Sequence, residues 1–317
     1  MNTRSFAILV LVLPTLSTLR ADVTTRYKTE ITLNPALSAM AAGAMKGTDL
    51  TAPQETALRL KNGKAFSSSS GFSSILDFPT KALIVLDPAT MRYAKMTSEQ
   101  FFDQAALTIP EMPATSRAAM ASMKTSVSAA RLTGRTALIQ GVEAEEREII
   151  ISISGPDVPG APAAVSMRMV MGLWTAKASE VLRVPAIREL AGYSLYAYAT
   201  TNPLASIDKM MKQIPGFGSA FEPLMKEMQS GTPMLRLHID IFMPAIAALL
   251  KSIPAGNAPG AALDDTAPFL QLNQELMELS SASVPDSVFQ IPEGYHEASP
   301  SELVQALLAK TKAPSQQ

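Results

Sequence analysis

The sequence predicts an α+β fold: one large curved antiparallel sheet, a half-barrel, covered by helices and interrupted by helical insertions. Three observations predict it. Period-two alternation of apolar and polar residues recurs along the chain, with tight-turn residues between successive runs, as in hairpins. Ala- and Met-rich stretches with helical spacing fall between groups of strands and not after each one, which argues against alternating βαβ units. No fixed-period repeat, heptad pattern or long low-complexity linker divides the chain, so residues 22–317 read as a single domain.

Residues 1–21 (MNTRSFAILVLVLPTLSTLRA) have the layout of a secretory signal peptide. Arg4 supplies a positive start, Phe6 to Leu16 an apolar run broken only by Pro14 and Thr15, and Ser17 to Ala21 a cleavage region. That run is short for a bilayer span, and no later stretch reaches about 18 uninterrupted apolar residues. The expectation is cleavage near Ala21 and an extracytoplasmic protein, in the bacterial periplasm, with no transmembrane helix in the mature chain. An uncleaved membrane anchor is the alternative.

Val23 to Leu33 alternates as a half-buried strand does, and Asn34-Pro35 stops it. Leu58 to Phe66 contains Asn62-Gly63, the strongest short hairpin signal in the chain. Phe72 to Phe78, Ala82 to Leu86 and Met91 to Met96 follow as strands, the last two joined by Asp87-Pro88-Ala89-Thr90 with type I turn chemistry. Thr97 or Ser98, followed by Glu99-Gln100, marks a helix start, and an insertion is expected over about 104–128. A second β block begins near Arg131, is punctuated by Gly134 and Gly141, and continues through Val142 to Ser154.

Val165 to Thr175 alternates again, with Met167, Met169, Met171 and Leu173 on one face and Arg168, Gly172 and Trp174 on the other. A helical insertion is expected over 184–230. Met210, Met211 and Ile214 form one stripe there and Phe221, Leu224 and Met225 a second, with Pro215-Gly216 between them as a break. Met234 to Phe242 reads as a strand with Leu235, Leu237, Ile239 and Ile241 on one face. A third insertion spans 243–266, and a last strand is expected around Leu270 to Val284. Pro300 to Lys310 reads as a short helix capped by Ser299 or Ser301.

Composition removes many functions. The chain has 317 residues, 47% hydrophobic and 17% charged, so it can bury a substantial core. Its formal net charge is −1, and losing residues 1–21, which hold two arginines and no acid, leaves −3. No basic excess exists to neutralise a phosphate backbone, so no nucleic-acid partner is expected. With no cysteine there is no disulfide, thiol catalysis or cysteine-held cluster; with two histidines there is no histidine-rich metal site. No cofactor is expected.

Four segments in order resemble the lipoprotein-localisation-factor-like (LolA/LolB-type) family of bacterial envelope proteins. They are the early LRLKNGKAF and LIVLDPATMRYAKM block, GRTALIQGVEAEER at 134–147, GLWTAK at 172–177, and the closing SVPDSVFQIPEGYHE at 283–297. The resemblance covers about half the chain. It implies a half-barrel closed by helices around an apolar cavity, in proteins that bind acyl chains or lipoprotein ends or sense envelope stress. The insertions depart from the compact carriers of that family, and no binding residue transfers by position.

No serine-nucleophile elbow, zinc-protease motif or phosphate-binding loop is present, and the protein is expected not to be an enzyme. Glu143, Glu145, Glu146 and Glu148 offer paired carboxylates or, more simply, a solvated strand edge. His238 and Asp240 share one face of a strand and could orient an imidazole, but no nucleophile accompanies them. Methionine is the informative excess, 18 in all. Its adaptable side chain suits irregular apolar ligands as well as ordinary cores. The candidate ligand-cavity residues are Met167, Met169, Met171, Leu173, Trp174, Met210, Met211, Ile214, Phe221 and Met225. The expected function is binding of a hydrophobic ligand, a lipid or acylated peptide, with the 204–228 helices as lid and Pro215-Gly216 as hinge. The alternatives are an interaction module with a filled core that contacts an envelope protein, and a hydrolase with an unrecognised site.

Overall fold

A computed structural model describes residues 21–35, 51–69, 71–107, 122–155, 165–201, 231–244 and 267–312. Among these residues thirteen strands form one open sheet. In chain order they are β1 (Val23–Leu33), β2 (Gln54–Lys61), β3 (Lys64–Ser69), β4 (Phe72–Asp77), β5 (Ala82–Asp87), β6 (Arg92–Thr97), β7 (Lys124–Val127), β8 (Arg131–Ile139), β9 (Val142–Ser154), β10 (Val165–Ala176), β11 (Met234–Phe242), β12 (Leu270–Ser280) and β13 (His296–Glu297). The helices are α1 (Ser98–Leu107), α2 (Ala178–Arg183), α3 (Pro185–Thr201) and α4 (Pro300–Lys312). The sheet runs β13-β6-β5-β4-β3-β2-β1-β12-β11-β10-β9-β7, with β8 also paired to β9. All pairs are antiparallel except β13 with β6. The α+β class and the large antiparallel sheet agree with the sequence.

Local chemistry explains most element ends. Asn62-Gly63 and Gln140-Gly141 both take left-handed backbone (φ 49° and 76°, then 50° and 76°), closing two-residue hairpins whose twist matches the flanking strands. Asp87 is fully buried and holds its turn, accepting from the Ala89 amide at 3.0 Å and the Thr90 hydroxyl at 2.8 Å. Thr97 and Gln100 cap α1 reciprocally: the Gln100 amide donates to Thr97 Oγ1 at 3.2 Å and the Thr97 amide to Gln100 Oε1 at 2.9 Å. Ser299 caps α4, accepting from the Glu302 amide at 3.3 Å.

The main core gathers Val23, Leu60, Leu76, Val85, Met96, Leu235 and Leu276 from the sheet with Ile187 and Leu190 of α3 and Leu303 and Val304 of α4. A second cluster lies under the closing segment, where Val284 and Phe289 pack with Ile75 and Leu86. A third joins Ile149 and Ile151 to Met171 and Leu173.

Four expectations change. The insertion placed at 104–128 contains strand β7, because Lys124–Val127 extends the pairing of β9 beyond the end of β8. The last long strand stops at Ser280, and residues 283–289 fold against the second cluster instead. Leu235 joins the main core and not the cluster of Leu237, since a register slip between Trp174 and Thr175 leaves it without a partner on β10. The acidic run is not a strand edge: β9 has β10 on one side and β7 and β8 on the other. Residues 202–230 and 245–266, with the Pro215-Gly216 hinge, lie outside the described residues.

Candidate functional site

Strand alternation and register together build an apolar surface across the middle of the sheet. One row runs Ile31, Leu272, Ile239, Met171, Ile149 through β1, β12, β11, β10 and β9. The next runs Leu33, Leu270, Ile241, Met169, Ile151 and continues to Val127 on β7. Each pair is directly opposite in its ladder, so the side chains of a row stand on one face. Burial is graded along the rows. Ile149, Ile151 and Met171 are buried, whereas Met169, Ile239, Ile241, Leu270, Leu272, Ile31 and Leu33 are half-buried.

The opposite face carries polar rows in the same register. One is Lys28, Glu275, Arg236, Trp174, Glu146; its neighbour is Glu30, Asn273, His238, Gly172, Glu148, Arg131. These residues neutralise one another. Arg236 pairs with Glu275, Arg131 with Glu148 at 2.5 Å, and Lys28 with Glu30 at 2.5 Å. Glu146, 3% exposed, receives both nitrogens of the Arg135 fork and the Thr133 hydroxyl at 2.7 Å. Two guanidinium groups lie over the Trp174 ring, Arg236 at 5.6 Å and Arg135 at 6.0 Å from its centroid.

The His238 ring faces two acceptor oxygens, Asp240 Oδ2 at 2.9 Å from Nε2 and Asn273 Oδ1 at 2.5 Å from Nδ1. Burial opposes its charged form, but hydrogen bonds to Asn273 and Asp240 and the charges of Asp240 and Glu146 outweigh it and raise the pKa. Asp240 is held in turn by the Gln271 amide at 2.9 Å. The pair expected from the sequence is therefore real, and it belongs to a cross-strand ladder. All four glutamates of the acidic run also have cationic partners: Glu143 meets Lys177 at 2.8 Å and Glu145 meets Arg147 at 3.2 Å. Among the described residues no three metal-ligating side chains come together.

Of the candidate cavity residues, Met167, Met169, Met171 and Leu173 share the apolar face, and Leu173 and Met171 are packed inside the third cluster. Trp174 projects to the polar face and belongs to the main core. Met210, Met211, Ile214, Phe221 and Met225 lie outside the described residues. The sequence analysis missed Ile31, Leu33, Leu270 and Leu272 as members of the same surface. Their alternation was visible strand by strand, but the pairing of β1 with β12 joins residues more than 230 positions apart.

No helix among the described residues is long and apolar enough to cross a membrane. No protein-family model and no curated protein matches the chain.

Proposed function

We propose that this is an exported, non-enzymatic protein of the bacterial periplasm that binds a hydrophobic ligand, a lipid or acylated peptide, on the inner face of a helix-covered half-barrel. The leader ends near Ala21 in this reading, and the protein is a larger relative of the LolA/LolB-type carriers. The observation that supports it is the pair of apolar rows centred on Ile239 and Ile241, five and six strands wide, with side chains left half-buried. Contiguous apolar surface of that kind on a folded domain favours a binding role. Each methylene of an acyl chain that it covers contributes about 0.8 kcal/mol, so affinity needs no strongly directional polar group.

Native mass spectrometry of the protein exported by a bacterial host and purified without detergent, followed by lipid extraction, tests this. The expected result is a stoichiometric adduct of acyl-chain mass. Clean apo protein that also fails to take up a fluorescent fatty acid sinks the lipid reading. It then favours the second reading, an envelope interaction module, for which the filled main core speaks: Val23, Ile187, Leu235, Leu276 and Leu303 are all fully buried.

A further inference from the structure

The β2–β3 hairpin and helix α3 line an open-sided pocket of about 500 Å³, away from the apolar rows. Its volume falls within the range of small-molecule sites, about 300–1,000 Å³. The wall combines an apolar floor with a charged rim. Leu60, Phe78 and Tyr193 line the floor, the two rings standing 5.7 Å apart, and Lys61, Lys64 and Arg188 line the rim. Glu189 is the acid of the lining among the described residues.

These rim cations are not equivalent. Lys61 is engaged by Asp286 at 2.9 Å, by Asp22 at 3.7 Å and by the Val284 carbonyl at 2.6 Å, tying the closing segment to the sheet. Among the described residues Lys64 has only Asp77, at 4.0 Å. The exposed Arg188 guanidinium has no partner among the described residues, and neither has the Tyr193 hydroxyl. Burial also pushes the Tyr193 pKa up, so the hydroxyl stays protonated and able to donate.

Gly192 marks a position from which the pocket can be filled. It sits inside α3 and lines the cavity, and a Cβ built there would meet nothing within 4 Å. Glycine is the least favourable residue in a helix interior after proline, and here no close neighbour requires it. Gly192 is exposed, so a larger side chain there would extend into the open pocket beside Tyr193 and Arg188.

We propose that this cavity is a binding site for an amphipathic organic anion, with its carboxylate on Arg188 and the Tyr193 hydroxyl and its apolar body against Leu60 and Phe78. The site is separate from the apolar rows and does not depend on the ligand proposed for them, and its lining includes Ala21, where the proposed leader ends. Charge-assisted hydrogen bonds are worth enough that losing one weakens binding about tenfold or more.

Calorimetric titration with decanoate and with uncharged decan-1-ol tests the assignment. Decanoate is expected to bind with one-to-one stoichiometry. Arg188→Gln weakens decanoate about tenfold and leaves decanol within about twofold; Tyr193→Phe, which keeps the ring pair, weakens decanoate about threefold. Gly192→Leu fills the space without a clash and abolishes binding, while thermal unfolding shows the fold retained. Absence of decanoate binding, or decanoate affinity unchanged by Arg188→Gln, overturns the proposal. So does binding that survives Gly192→Leu and is lost in Ile241→Asp, because that places the ligand on the apolar rows.

Discussion

The carboxylate of Glu146 lies over Gly172 on the neighbouring strand, so close that a Cβ at position 172 would stand 2.9 Å from Glu146 Oε1. Glu146 cannot retreat without giving up Arg135 and Thr133, which hold both of its oxygens in a site 3% exposed. The glycine is therefore the space in which the buried Glu146 carboxylate meets the exposed Arg135 guanidinium. Gly172→Ala is expected to destabilise the protein by about 1–3 kcal/mol through overpacking and loss of that geometry. Urea unfolding of Gly172→Ala, Glu146→Ala and the double variant checks the cause. The two costs should be strongly non-additive; strict additivity would show that Glu146 is not what Gly172 accommodates.

Thr25 provides a prediction of opposite sign. It is fully buried between Leu58 of β2 and Leu279 of β12, and its hydroxyl has no hydrogen-bond partner among the described residues. A buried hydroxyl without a partner carries its desolvation cost with no return. Thr25→Val keeps the β-branched shape and should stabilise the protein by about 1 kcal/mol, read as a higher urea midpoint at unchanged slope. A loss of stability would mean the hydroxyl is satisfied in solution.

The His238 ladder sets a pH dependence. Its folded pKa lies above the ordinary value of 6.5, because Asn273, Asp240 and Glu146 together outweigh burial. The imidazolium is thus favoured in the folded state. Its contribution to stability is fully present below the unfolded pKa and is lost as pH rises through the raised folded value. The stability difference between the wild type and His238→Gln should be larger at about pH 5.5 than at about pH 8.5. An NMR titration of the His238 ring that midpoints below the model-peptide value would contradict the ladder.

Much of this molecule follows from local sequence. Asn62-Gly63 names its own hairpin, and Thr97 with Gln100 and Ser299 before Glu302 name two helix starts, because each device is satisfied within four residues. The alternation at 165–175 separates Met169 and Met171 from Gly172 and Trp174 without any knowledge of neighbours. What sequence does not contain is adjacency. Ile31 and Leu272 become partners only because the first and last long strands pair in the centre of the sheet. The same limitation hid the cost of Gly172, which depends on a side chain from β9. The register slip near Leu235 was illegible for another reason: MLRLHIDIF alternates without interruption, and the extra residue is visible only against β10.

That slip separates two kinds of apolar residue on one strand. Leu235 is fully buried in the main core, whereas Ile241, six residues along β11, is half-buried between Leu270 and Met169. Leu235→Ala leaves a cavity among packed neighbours and should cost about 2–5 kcal/mol. Ile241→Ser removes side-chain area that is already partly exposed and should cost considerably less in urea unfolding. Ligand loading should reverse the order. If the rows around Ile241 hold an acyl chain, Ile241→Ser lowers the fraction of adduct in native mass spectra while Leu235→Ala, measured where it remains folded, retains it. Equal loading in both variants would remove the apolar rows from the binding surface. A large stability loss in Ile241→Ser would show that the row is structural core, because its side chains would then be contributing to the fold what the carrier reading assigns to the ligand.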